Sequence, residues 1–216
     1  MDVIFTKANI FFMLDGLKLT LLIALGTIIL STILGTILAL VRNYCRGIWS
    51  PLAKLAAIYI EIFRCTPNIL WILWIRFTIP GDPIPLGIFT FTLFTTAVVA
   101  ETIRGGLNAI PKGQFEGAAS QGFSFLQTLV YIILPQTFKS IVPALLSQVI
   151  TVIKDTSFLK IVDIAEFTRN SYVVLGSLRT LPQILALYGF VALTYFVLNF
   201  TISCVVRWYQ RKVSIA

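Results

Sequence analysis

Lys154, Asp155, Thr156 and Ser157 put an ammonium, a carboxylate and two hydroxyls at the end of an apolar run. Charge there is costly, about 2.5–3.5 kcal/mol for Arg, Lys or Asp at a helix centre on insertion scales, so each needs a partner or a water-filled cavity. Two readings are open. Lys154 and Asp155 pair with each other as a structural anchor, or the four groups complement a ligand that carries both charges beside a helix break, where freed backbone groups also bind. The second makes them the first choice for a substrate-lining strip. Glu61, Arg64 and Thr66 form a second constellation, just ahead of Pro67. Glu61 and Arg64 share a helical face, which reads first as a neutralising salt bridge and second as substrate contact. Thr66 either reaches a cavity or bonds back to its own helix. The third constellation, Glu116, Gly117, Ala118, Ala119 and Gly122, is polar and small. Small residues let a partner approach a helix backbone closely, and Glu116 near a helix start is favoured by the dipole. It is a docking helix or an ordinary amphipathic loop helix.

Composition narrows the chemistry. The 216 residues are 57% hydrophobic and 12% charged, with a mean hydropathy of +0.91, the composition of an integral membrane protein. The net charge of +8 is spread between apolar segments, which fits a basic membrane rim better than a nucleic-acid surface. There is no histidine, and Cys45, Cys65 and Cys204 have neither disulfide nor zinc spacing. No GxxxxGK[ST] phosphate loop occurs, so ATP, if used, binds elsewhere. A membrane enzyme using Glu61, Asp155 or Ser157 is disfavoured, since no nucleophile has an evident base.

Five apolar spans position these groups, at about 17–41, 52–79, 86–103, 139–156 and 183–206, in a single domain covering 1–216. The first, at ~1.5 Å per residue, is about 37 Å long, enough for a hydrocarbon core of about 30 Å. Residues 1–16 mix polar and apolar side chains and read as an N-terminal interfacial helix. Pro67 should kink or divide the second span. Glu101 and Arg104 read as an ion pair at a membrane edge, and Trp49, Trp71, Trp74 and Trp208 as interfacial or lipid-facing. Lys and Arg number nine on one side (Arg42, Arg46, Lys54, Arg104, Lys112, Lys139, Arg207, Arg211, Lys212) and five on the other (Lys7, Lys18, Lys160, Arg169, Arg179). The richer side should be cytoplasmic, which puts the N-terminus outside, the C-terminus inside and the polar region of about 104–138 in the cytoplasm.

The stretch ETIRGGLNAIPKGQFEGAASQGFSFLQTLVYIILPQ, Glu101 to Gln136, resembles the cytoplasmic coupling loop of permease subunits of ATP-binding-cassette (ABC) importers for polar amino acids, the binding-protein-dependent transport family. YIEIFRCTP from Tyr59 and KDTSF from Lys154 match it further, so the likeness spans nearly the whole transmembrane unit. Gly117, Gln121 and Cys65 depart from the usual residues, and Arg76 follows Pro67 where a glutamine is common. The resemblance implies an all-α type I importer permease fold with a cytoplasmic coupling helix. It also implies a bacterial inner-membrane location, a permease dimer of two copies or of this chain with a similar one, and an extracellular or periplasmic binding protein. An ABC ATPase dimer would dock at Glu116–Gly122 and carry the ATP and Mg, with no cofactor on this chain. A secondary transporter or channel uncoupled from ATP is the alternative.

Overall fold

A computed structural model describes residues 4–214, with side chains through Arg211. Residues 1–3 of the expected interfacial segment, and the side chain of Lys212, lie outside the described residues. Every regular element among the described residues is helical.

Helix α1, Lys7–Tyr44, starts at Thr6, whose side chain accepts the Asn9 N–H at 3.2 Å. Its 38 residues extend about 57 Å at ~1.5 Å per residue. The stretch to Gly16 is therefore no separate interfacial helix, because from Lys7 onward it forms the first turns of α1. Gly16 explains why these turns are drawn onto the bundle. A Cβ there would stand 2.8 Å from the Glu166 carbonyl oxygen and from Asn170 Nδ2, so a side chain would push the two segments apart.

A short turn, Gly47–Trp49, leads to α2, Ser50–Cys65, and α3, Asn68–Thr78. These two meet at Thr66–Pro67 with a bend of 104°. Pro67 has no N–H to donate, and its ring clashes with the carbonyl four residues back, so 52–79 is divided rather than one straight span. Helix α4, Pro83–Ala109, is the most buried long helix and touches α1, α2, α3 and α7, with α1 its most extensive partner.

Beyond α4 come α5, Lys112–Ser120, and α6, Phe125–Thr128. A π-helical turn, Leu129–Ile133, joins α6 to α7, Leu134–Asp155. The wide turn falls just ahead of Pro135, and there Leu134 N–H bonds to the Leu129 carbonyl. It relieves the clash that proline makes with the preceding turn. The expected loop of 104–138 is consequently mostly helix. Gly106 and Leu107 are buried on α4, and Leu129, Ile133 and Thr137 are buried at helical spacing on the rod opposite. Only the piece around α5 stands off the bundle.

A 3-10 segment, Thr156–Val162, follows α7, with Asp163 in the left-handed region at φ 59°. The short α8, Phe167–Leu175, and the 34-residue α9, Leu181–Ser214, complete the chain. One core cluster joins α1, α3, α4, α7 and the 3-10 segment around Phe91 and Phe94. Trp71, expected at the lipid surface, packs against this cluster, whereas Trp49, Trp74 and Trp208 are exposed. Long rows of exposed apolar side chains remain on α1 and α9, as lipid or a partner helix requires.

Gly105 and Gly106 separate packing from mere composition. A Cβ on Gly106 would lie 2.5 Å from Ile141 Cγ2, whereas one on Gly105 meets nothing within 4 Å. Gly106→Val should cost about 1–3 kcal/mol by overpacking. It should lower the Tm of the detergent-purified protein by several degrees, while Gly105→Ala leaves it unchanged or raised.

Candidate functional site

The described residues bring the candidate groups together in three places. The first is α5. Pro111 precedes its first turn, and Gly122, at φ 80°, ends it. Gly122 N–H donates to the Ala119 carbonyl at 3.0 Å and Phe123 N–H to the Ala118 carbonyl at 3.1 Å, the paired bonds of a Schellman cap. Gly122 thus shapes the helix end. Ala118 is buried and Phe115 half-buried against the bundle, while Glu116, Gly117 and Ala119 face outward. No atom lies within 4 Å of a Cβ placed on Gly113 or Gly117, so this face is open to a partner's surface. Gln136 Nε2 donates to Gln114 Oε1 at 3.0 Å, tying α5 to α7. Ser124 and Gln127 form a capping box at the start of α6.

The second place is an ion network where α1, α2 and α4 meet. Glu101 is its hub. Its carboxylate takes Arg104 through Nε at 3.1 and 3.2 Å and Nη2 at 2.9 Å, and also bonds Arg42 Nη1. Arg64 Nη1 lies 3.9 Å from Glu101 and 4.0 Å from Glu61, and Arg42 Nη2 lies 3.6 Å from Glu61. The Glu101–Arg104 pair read from sequence is thus the centre of a wider cluster that draws in Glu61 and Arg64. Arg42, which the sequence offered only as one more basic residue before a turn, joins them because α1 packs along α4. Thr66 is close in sequence but not in chemistry: its hydroxyl donates to the Ile62 carbonyl at 2.8 Å, bonding back to its own helix.

The third place is the far end of α7. Among the described residues no salt bridge or hydrogen bond joins Lys154 to Asp155, although their charges still act on one another. Neighbours on a helix point about 100° apart, and these two diverge accordingly. Lys154 is exposed and borders a groove of about 360 Å³ between α7 and α9, with Tyr195, Asn199 and Ser203. Asp155 and Ser157 are half-buried. Thr156 is fully buried and donates to the Ile153 carbonyl at 2.8 Å, so its hydroxyl serves the helix end.

Beside this strip lies a buried carboxylate that the sequence reading passed over. Glu166, fully buried in the connection between the last two spans, caps α8 by accepting Thr168 N–H at 2.8 Å and Arg169 N–H at 2.6 Å. Thr20 of α1 and Tyr195 of α9 approach the same carboxylate at 3.5 and 3.4 Å. An acid just before a helix was legible as a cap; its burial depends on α1 and α9 closing over it. Burial pushes the Glu166 carboxyl above its ordinary range, although the cap bonds oppose this. Near it, exposed Asp163 is held below the usual range by its 2.8 Å bond from Arg169 Nε.

Two measurements follow from these charges. Glu101→Gln leaves three guanidiniums around a neutral amide and should cost about 1–3 kcal/mol in unfolding free energy, whereas Glu61→Gln, on a half-exposed residue, should cost about 0–1 kcal/mol. For Glu166 the sign runs opposite to a salt-bridged acid. Its raised folded pKa makes the stabilisation from protonation complete below the unfolded value and lost as pH rises through the folded value. The Tm advantage of the unaltered protein over Glu166→Gln should therefore shrink as pH rises above the ordinary glutamate range.

The matches with known proteins cover the whole of this arrangement. The family described as "Binding-protein-dependent transport system inner membrane component" matches residues 31–215. The chain is 34% identical over 208 residues to the "Probable glutamine ABC transporter permease protein GlnP" of Bacillus subtilis (strain 168), covering 94% of each chain. It is 31% identical over 214 residues to the "Glutamate/aspartate import permease protein GltK" of Escherichia coli O157:H7, covering 93% of each. A solved structure described as "Crystal structure of an amino acid ABC transporter with histidines" superposes with a TM-score of 0.81 at 28% identity, over 93% of this chain and 94% of that one. A methionine ABC transporter structure at 18% identity, TM-score 0.78, shares the fold. With the family pattern running from the middle of α1 through α9, and long apolar helices around an exposed α5, the chain belongs to the inner membrane components of binding-protein-dependent transport systems.

Proposed function

We propose that this chain is the transmembrane subunit of an ATP-driven amino-acid importer, working as a permease dimer with a second copy or a similar permease. A separate ABC ATPase dimer binds ATP and Mg and docks on α5. An extracellular or periplasmic binding protein delivers the amino acid to the opposite face. The chain then lies in the bacterial inner membrane with its N-terminus outside and its C-terminus and α5 in the cytoplasm, a reading that the distribution of Lys and Arg supports.

The observation that carries this reading is α5. It is a short helix with an open face of Glu116, Gly117 and Ala119, anchored beneath by Ala118 and Phe115 and stopped by the Gly122 cap. Such a helix is joined to α4 at one end and, through α6 and the Gln114–Gln136 bond, to α7 at the other, so a push on it reaches the transmembrane bundle. The relatives named as glutamine and as glutamate/aspartate permeases point to polar amino acids. The groove between α7 and α9 is open-sided, which supports a pathway that a second subunit closes.

Reconstituted permease–ATPase complex, supplied with candidate binding proteins, should take up one or more polar amino acids only when ATP is hydrolysed. Glu116→Lys should reduce that uptake at least about tenfold while the chain still inserts and folds, since a reversed charge on the docking face removes about 1.4 kcal/mol or more of coupling contact. Uptake at full rate by this variant removes coupling through α5. Substrate movement by the permease alone, without ATP, instead supports a secondary transporter or channel.

A further inference from the structure

The turn between α1 and α2 carries positive charge that no acid among the described residues neutralises. Arg42 turns inward to Glu101 and Glu61, whereas Arg46 is exposed and enters no salt bridge among the described residues. Lys54, exposed near the start of α2, likewise enters none. The helix itself adds to them. No side chain caps the first N–H groups of α2 and its first turn holds no acid, so the positive end of the helix dipole is also left uncompensated. In the same turn Ile48 and Trp49 are 87% and 59% exposed, apolar side chains among basic ones, as at the headgroup level of a membrane. The Tyr44 ring meets the Phe125 ring of α6 at 5.2 Å, so this turn lies on the membrane face that carries α5.

The turn also closes one end of an apolar groove of about 530 Å³ among α1, α2 and α4. Leu34, Ile37 and Val41 form one wall, and Leu52 and Leu55 the other. Its polar side chains offer little to a polar solute, since the Tyr59 hydroxyl donates to the Leu93 carbonyl at 2.6 Å and Thr96 is buried. From Leu34 to Val41 the wall runs about 10 Å at ~1.5 Å per residue, most of the hydrocarbon depth of one leaflet, about 15 Å as half of a core of about 30 Å.

We propose that this groove and turn bind an anionic phospholipid, its phosphate against Arg46 and the start of α2 and one acyl chain along the groove. An acyl chain gains little by leaving other chains for an apolar wall, so charge decides among lipids. A zwitterionic headgroup brings a cation of its own, which Arg46 and Lys54 repel. A second copy of the chain laid over the groove would bury the positive charge at its end without a partner, which is costly.

The test uses the full-length permease with its ATPase in neutral detergent, titrated with dioleoyl phosphatidylglycerol, dioleoyl phosphatidylcholine, inorganic phosphate and glycerophosphoglycerol, a headgroup without chains. Native mass spectrometry counts retained lipid, and Tm is read alongside. Phosphatidylglycerol should bind saturably, at least about tenfold more tightly than phosphatidylcholine, and raise the Tm, whereas the two chainless anions do neither. Arg46→Gln should lower that preference about fivefold, the ~1 kcal/mol of one basic residue near the headgroups, and adding Lys54→Gln should lower it further. Ile37→Trp, which fills the groove from an exposed position, should weaken both lipids without changing the lipid-free Tm. Equal binding of the two lipids, or a preference that survives the double substitution, overturns the site. Competition at full strength by either chainless anion makes it a simple anion site and overturns the acyl groove. Separation of permease subunits in Ile37→Trp assigns the groove to a second copy and overturns the lipid. Because no transport is measured, failure here leaves the importer reading untouched.

Discussion

The close approach of α1 to α4 is the contact on which the remaining structure depends. Two helices in lipid gain little from hiding apolar surface, since the tails around them are equally apolar, so they associate by fitting backbone close to backbone. Gly35 makes that possible, because a Cβ there would stand 2.9 Å from Val99 Cγ1 and 3.1 Å from the Ala100 nitrogen. Gly106 does the same between α4 and α7. Buried on these faces, α4 becomes the post around which α2, α3 and α7 are arranged, and α5 hangs from its end.

A second constraint works through the charges. Each ionisable group in the bundle must find a partner or face an open groove, and the chain uses both solutions. Glu101 gathers three arginines where α1, α2 and α4 converge, so the cluster rigidifies the half of the bundle nearest α5. Glu166 instead borrows the N-terminus of α8 and draws in hydroxyls from α1 and α9, binding together the other half. Lys154 uses the second solution, standing exposed on the rim of the groove between α7 and α9.

The order of the apolar segments, the division at Pro67 and the exposed small-residue helix were legible because each has a local cause. A proline breaks its own helix, and Gly122 adopts a left-handed conformation that most residues resist. Less legible was where helices end. The stretches 1–16 and 104–138 look polar enough to lie outside the bundle, yet Gly16, Gly106, Leu129 and Ile133 fasten parts of them to it. Local polarity cannot reveal that a glycine faces a helix far away in the chain.

What the sequence by itself determined was the class of molecule: a helical membrane protein with a short polar helix set between long apolar ones, since these follow from composition, breaks and local motifs. Which polar residues act together was decided only by tertiary structure. Lys154 and Asp155 are neighbours in the chain but diverge on the helix, while Lys154 and Asn199, far apart in sequence, border one groove. Glu61, Arg64 and Arg42 likewise come from two helices that only packing on α4 brings to Glu101. Charge and hydrogen bonding act over a few ångströms in space, and that proximity exists only once the helices have packed.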